Sequence, residues 1–189
     1  MIVKSAEFVK GIRGTDPVTH NGIPQVAFIG RSNVGKSSLV AALTGKKKLV
    51  KVSDTPGKTR EINFFLINKK KYLVDLPGYG YASVNPKEKD KLKKLIYWYL
   101  VDSGVQPEQI LVILDAKVGV TKFDEETLEL LREQQHPFAV VVNKVDKLTQ
   151  KELAAQLKTI RAASLGAEVV MVSATAGDGI KKLSETLFA

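Results

Sequence analysis

The sequence predicts an α/β fold: a doubly wound, mostly parallel six-stranded sheet with one antiparallel edge strand and helices on both faces. Three observations carry this. From residue 110 onward, short β-type apolar runs alternate with helical patterns, the signature of strand–helix–strand units. Two earlier runs, Ile62–Asn68 and Tyr72–Asp75, are separated only by Lys69-Lys70-Lys71, which makes a hairpin and hence one antiparallel strand. A glycine-containing loop from Gly30 to Ser37 joins a short apolar strand to a helix, at the carboxyl edge where such sheets bind ligands.

In chain order, residues 1–23 form a lead-in packed on a single unit spanning 24–189. Ile2-Val3 and Ala6-Phe8-Val9 are apolar enough to form an edge strand or to lie over the sheet, and Gly11, Gly14, Pro17 and Asn21-Gly22 mark turns. Val26–Ile29 is the first buried strand, and a helix runs from about Gly35 to Leu43. Thr44–Arg60 reads as a long loop, because Gly45, Lys46-Lys47-Lys48, Asp54, Pro56 and Gly57 discourage regular structure; loops of that length in compact domains are usually functional. After the hairpin, Leu76–Asn85 is a second loop with Pro77, Gly78 and Gly80. Pro86 suits a helix start, and Leu92, Leu95, Ile96, Tyr99 and Leu100 then recur at helical spacing. Strands at Ile110–Leu114, Phe138–Val142 and Val169–Val172 alternate with helices at Phe123–Arg132, Leu148–Leu165 and Gly179–Leu187.

Composition bounds the function. The 189 residues suit one domain, and 44% hydrophobic residues are enough for a core. No apolar run approaches the ~18 residues of a membrane helix, and the N-terminus lacks the apolar core of a secretion signal. Cysteine is absent, which excludes disulfides and thiolate metal sites. A cytoplasmic protein is expected. The net charge of +9 favours a polyanionic partner such as nucleic acid.

The chemistry begins with Gly30-Arg31-Ser32-Asn33-Val34-Gly35-Lys36-Ser37, which reads G-x-x-x-x-G-K-S between a strand and a helix that opens with Ser38. In that context the pattern is a phosphate-binding loop. Its glycines let backbone N–H groups surround a polyphosphate, and the helix N-terminus adds positive potential. Lys36 reaches the β- and γ-phosphates, and the Ser37 hydroxyl can ligate Mg²⁺. Asp75-Leu76-Pro77-Gly78 is D-x-x-G at a strand end: Asp75 can hold Mg²⁺ directly or through water, and the Gly78 N–H can face the γ-phosphate. Asn143-Lys144-Val145-Asp146 follows another strand. The Asp146 carboxylate can accept from guanine N1–H and the 2-amino group, a donor pair adenine lacks. The Lys144 stem can cover the base, and Asn143 can tie base loop to phosphate loop. Ser173-Ala174, after the last strand, can offer N–H groups to guanine O6. In the long loop, with Gly57 and Lys58 before it, Thr59 is the candidate for a threonine that reaches Mg²⁺ and the γ-phosphate in the triphosphate state; Thr55 is the alternative.

These motifs, in this order, resemble the translation-factor-like P-loop GTPases. The runs Gly30–Ser38, Pro56–Phe65 and, above all, Asp75-Leu76-Pro77-Gly78-Tyr79-Gly80-Tyr81-Ala82 are similar to the EngB/YihA family of small bacterial GTPases, in the TrmE–Era–EngA–EngB–Septin-like class. The resemblance covers essentially the whole chain. Two positions depart from it: the family usually has Thr-Lys-x-Asp in its base motif and often two serines in the last motif, where this chain has Asn143-Lys144-Val145-Asp146 and Ser173-Ala174-Thr175. The resemblance implies a GTP-hydrolysing switch with slow intrinsic turnover, GTP or GDP as ligand, Mg²⁺ as cofactor, and roles in ribosome large-subunit assembly, normal cell division and septation.

A P-loop ATPase or kinase is the alternative that Asp146 opposes; a nucleotide-gated binding module with negligible turnover is another. Tyr79 stands where Ras-like enzymes place a water-orienting Gln and is expected to point away. Asn33 stands where cation-dependent relatives place an asparagine that helps hold K⁺, so K⁺ is expected to supplement Mg²⁺. Lysines cluster at 46–48, at 69–71 and at Lys87, Lys89, Lys91, Lys93 and Lys94, which suits docking of a monomer on ribosomal particles through ribosomal RNA.

Overall fold

The computed structural model describes residues 3–46, 49, 61–80 and 85–188. Most of the long first loop, with Thr55, Gly57, Lys58 and Thr59, lies outside the described residues, as do Tyr81 and Ala82. The strands are β1 (Ala6–Ile12), β2 (Gln25–Gly30), β3 (Ile62–Ile67), β4 (Lys71–Asp75), β5 (Gln109–Asp115), β6 (Phe138–Asn143) and β7 (Val169–Met171). They form one sheet in the order β1-β3-β4-β2-β5-β6-β7. Pairing is parallel from β4 through β2, β5 and β6 to β7, while β3 runs antiparallel to both β4 and β1.

The sheet thus has seven strands rather than the six expected. The difference is β1. The lead-in turns Ala6 and Ile12 into the structure and pairs along β3, so the antiparallel strand is covered rather than left at the edge. The ladder between β1 and β3 shifts register between Phe8 and Lys10, the local irregularity of a bulge.

Helices α1 (Lys36–Thr44) and α5 (Ile180–Phe188) cover one face; α2 (Pro86–Tyr97), α3 (Lys122–Glu133) and α4 (Gln150–Ala163) cover the other. The strands supply both faces by alternation. In β2, Val26 and Phe28 pack with Leu39, Leu43, Ile180 and Leu183, whereas Ala27 and Ile29 pack toward Tyr99, Leu128 and Leu131. The apolar residues expected along α2, namely Leu92, Leu95, Ile96, Tyr99 and Leu100, are all buried. Asn85 caps this helix by accepting from the Glu88 N–H at 2.9 Å, Pro86 follows at its first turn, and a π-helical stretch, Trp98–Asp102, continues it. The helix expected over Leu148–Leu165 is shorter. Val145–Lys147 forms a 3₁₀ turn, and α4 begins only after Thr149, whose side chain and that of Glu152 cap it reciprocally.

Candidate functional site

The site lies at the carboxyl ends of β2, β4, β5 and β6. β2 ends at Gly30, and the loop from Arg31 to Gly35 leads into α1. Two of its residues hold left-handed backbone: Asn33 at φ 67° and Gly35 at φ 97°. Gly35 also has no room for a side chain, because a Cβ there would stand 2.5 Å from Asn143 Nδ2. That turn aims the opening of α1 at the loop. No side chain caps the helix, so the first-turn N–H groups at Lys36, Ser37 and Ser38 are open to an anion. Lys36 is buried, and its ammonium donates to the Gly30 carbonyl at 3.0 Å and the Arg31 carbonyl at 3.4 Å.

The D-x-x-G segment closes over this loop. Asp75 is buried at the end of β4, in register with Phe28 and Asn63, and the Leu76 N–H donates to the Phe28 carbonyl at 2.9 Å. Leu76, Pro77 and Gly78 are buried in turn. A Cβ on Gly78 would sit 3.0 Å from both Lys36 Nζ and Ser32 N, a tight fit that a glycine avoids. Tyr79 then pairs with Arg31 as a parallel bridge: the Ser32 N–H donates to the Tyr79 carbonyl at 2.8 Å, and the Tyr79 N–H donates to Gly30 at 3.4 Å.

The base motif joins the same loop from the other side. Asn143 is buried at the end of β6; its amide donates to the Val34 carbonyl at 2.9 Å and accepts from the Ala174 N–H at 3.1 Å. Lys144, at φ 65°, donates to the Asn33 carbonyl at 2.6 Å and to Asp115 at 2.7 Å. Asp146 accepts from the Ser173 hydroxyl at 2.6 Å. That hydrogen bond, with Lys147 at 3.3 Å adding to it, holds the Asp146 carboxyl below the usual carboxylate range, so it is ionised and acceptor-only near neutral pH.

The donor set fits a nucleoside triphosphate and its metal. Gly30 and Gly35 leave no room for a side chain, a helix N-terminus faces the loop, and hydroxyl and carboxylate oxygens stand in Ser37 and Asp75. No group of three or more His, Asp or Glu able to hold a metal occurs among the described residues.

Sequence reasoning missed two residues. Asp115 ends β5, in register with Asn143, and is the carboxylate that holds the Lys144 ammonium. It was findable as the polar residue terminating an apolar strand at the ligand-binding edge. Asp124, near the start of α3, is buried and accepts from the Tyr79 hydroxyl at 2.6 Å. Tyr79 therefore does point away from the phosphate loop, and it is anchored there. Burial first, then the Asp124 charge, pushes its phenol well above the usual value, so the hydroxyl stays a donor.

Comparison with known proteins accords with this geometry. The family model described as "50S ribosome-binding GTPase" matches residues 25–144, and the elongation factor Tu GTP-binding domain matches residues 100–189. The chain is 42% identical to a probable GTP-binding protein EngB of Chlorobium luteolum, over 97% of this chain and 88% of that one. It is 45% identical to one from Roseobacter denitrificans, over 94% and 84% respectively. Among solved structures it resembles a probable GTP-binding protein EngB (TM-score 0.72, 25% identity, 87% of this chain and 96% of that one). It also resembles Era in complex with MgGDPNP and a segment of 16S ribosomal RNA (TM-score 0.68, 26% identity, 88% and 56%). With that similarity running along nearly its full length, the chain belongs to the EngB family of GTP-binding proteins and is a GTPase.

Proposed function

We propose that this GTPase is a switch whose GTP form docks on ribosomal particles through ribosomal RNA and acts in assembly of the large subunit, and through it in normal cell division and septation. The observation that carries the switch is the double tie between base loop and phosphate loop, Asn143 to Val34 and Lys144 to Asn33. A nucleotide spanning both loops is read at its base and its phosphates together. Asp146 would accept from guanine, the Lys144 stem would cover the base, and Ala174 would face O6. The N–H groups of Asn33 and of Gly35 through Ser38, with Lys36, would hold the phosphates, and Gly78 would meet the γ-phosphate. Ser37 and Thr59 are the residues that would hold Mg²⁺, with Asp75 through water; bound there, the ion would offset charge on the β- and γ-phosphates. Asn33 would add K⁺ to that set. Matched KCl and NaCl assays test this: faster hydrolysis in KCl is the expected outcome, and equal rates remove K⁺ from the reading.

The docking face is argued from charge. Lys87, Lys91, Lys93 and Lys94 are exposed on α2, directly after the D-x-x-G segment. The hairpin tip adds exposed Lys69 and Lys70, whereas Lys71 is tied to Glu108 at 2.7 Å. The family description and the RNA-bound relative support an RNA partner. The test is co-sedimentation with precursor particles in GDP, a non-hydrolysable GTP analogue and no nucleotide, across a salt series. Tightest binding with the analogue and a steep salt slope are expected, and replacing Lys87, Lys91 and Lys94 by Ala should flatten that slope. An unchanged slope in the triple variant would exclude this face.

A further inference from the structure

Ras-like enzymes place a glutamine after D-x-x-G to orient the attacking water. Here that position is Tyr79, and both of its ends are engaged. Its hydroxyl donates to Asp124 at 2.6 Å in a buried setting, and its ring lies 6.5 Å from that of Phe123. Its backbone pairs with the phosphate loop at Gly30 and Ser32. Asp124 is fixed in turn: its other carboxylate oxygen accepts from the Thr121 N–H at 2.8 Å and the Thr121 hydroxyl at 2.6 Å, as part of the α3 cap. A chain of direct hydrogen bonds therefore runs from the start of α3 through Tyr79 to the phosphate loop, with Gly78 the residue next to it.

We propose that Tyr79 is a positioning residue for GTP hydrolysis: a strut between α3 and the phosphate loop that holds the Gly78 N–H where the γ-phosphate charge develops. The inference rests on the assignment of Gly78 to the γ-phosphate. The geometry favours it in three ways. Gly78 packs so near Lys36 and Ser32 that an added Cβ would meet Lys36 Nζ and Ser32 N at 3.0 Å, so a small displacement of its backbone changes its aim. The Tyr79 N–H and carbonyl carry the backbone bonds that fix the chain immediately after Gly78. The Asp124 acceptor is charged and buried, which makes the anchoring bond stronger than one between neutral groups. The strut replaces side-chain orientation of water by rigid placement of a backbone donor, a preorganised electrostatic device.

The experiment compares Tyr79→Phe, Thr121→Ala and Gly78→Ala with the parent. Single-turnover hydrolysis is measured at saturating GTP, with displacement of a fluorescent GDP and the thermal midpoint alongside. Tyr79→Phe removes only the anchoring oxygen. It should slow single-turnover hydrolysis about tenfold or more, the scale of a hydrogen bond to a charged group. Its GDP affinity should stay within about twofold of the parent, because the strut acts on the γ-phosphate side. Thr121→Ala leaves Tyr79 and Asp124 in place and removes one of the two bonds that fix Asp124; it should lower the midpoint and slow hydrolysis by clearly less than Tyr79→Phe does. If Tyr79→Phe hydrolyses GTP as fast as the parent while Gly78→Ala does not, the strut is wrong and the γ-phosphate reading stands. If Gly78→Ala is also parental, that reading fails and takes the strut with it. Equal slowing by Thr121→Ala and Tyr79→Phe would overturn the strut in favour of general α3 packing.

Discussion

Asp146 and Ser173 make the base site a matter of single atoms. The hydroxyl occupies one carboxylate oxygen, the Lys147 ammonium stands 3.3 Å from the other, and the ionised group is a pure acceptor. Replacing Asp146 by Asn makes the group partly a donor, which mismatches guanine and suits the carbonyl at position 2 of xanthine. Competition binding should show GTP affinity falling by about a hundredfold or more and xanthosine triphosphate gaining, the scale of leaving buried polar groups unmatched. Asp115→Asn is a milder change. It keeps an acceptor for Lys144 but removes the charge from a bond at 2.7 Å. GDP and GTP should both weaken, by roughly the same factor of about ten, because the change acts on the base loop and not on the γ-phosphate. A loss confined to GTP would contradict that placement. Asp115 could be read only as a polar residue closing an apolar strand, and Asp124 not at all: their partners, Lys144 and Tyr79, are distant in sequence and meet them only through the fold. Asp146, Asn143 and Lys36 were legible because their spacing is local to one loop each.

Among elements, the strongly patterned ones follow the sequence closely. β5 and β6 contain their apolar runs and exceed them by only a polar residue at an end, Gln109 and Asp115 in β5 and Asn143 in β6, because strands buried on both faces read as unbroken apolar stretches. The start of α4 does not match its run. Leu148 belongs to the apolar pattern, yet Thr149 and Glu152 offer a better terminus, so local capping overrides periodicity. That cap has a pH signature. The Thr149 N–H, at 2.8 Å, and its hydroxyl, at 2.7 Å, hold Glu152 below the ordinary value of 4.5. A depressed folded-state value means the stabilisation is present above the unfolded value and is lost as pH falls through the folded one. Glu152→Gln should therefore melt below the parent at neutral pH, and the gap should close under about pH 4 in a pH series of melting curves. On the other face, Leu39 of α1 is fully buried among Val26, Phe28 and Ile113. Leu39→Ala should cost about 2–5 kcal/mol in denaturant unfolding.

For the whole molecule, Asn143 is where fold and ligand share a residue. It is buried and joins β6 to the phosphate loop and to the segment after β7. Asn143→Ala strands the Val34 carbonyl and the Ala174 N–H together, at about 1–3 kcal/mol for each unsatisfied group. Two effects should appear in thermal melts: a lower midpoint without nucleotide, and a smaller rise on adding GDP, since the rise scales with affinity. A variant with a lower midpoint but the full GDP-dependent rise would separate stability from binding and refute the shared role.

The seventh strand carries one more consequence. β3 holds Phe64 and Phe65 in a run with no charged residue, and its outer ladder is satisfied by β1. β1 in turn presents Glu7 and Lys10 on exposed positions and a bulge, features that discourage pairing with another sheet. The lead-in thus acts as a guard against self-templated stacking, independent of nucleotide chemistry. A chain shortened to begin after Ile12 would offer a bare, apolar edge to its own copies. Light scattering at rising concentration should show it assembling into large particles while the full chain stays dispersed, whatever guanine nucleotide is present.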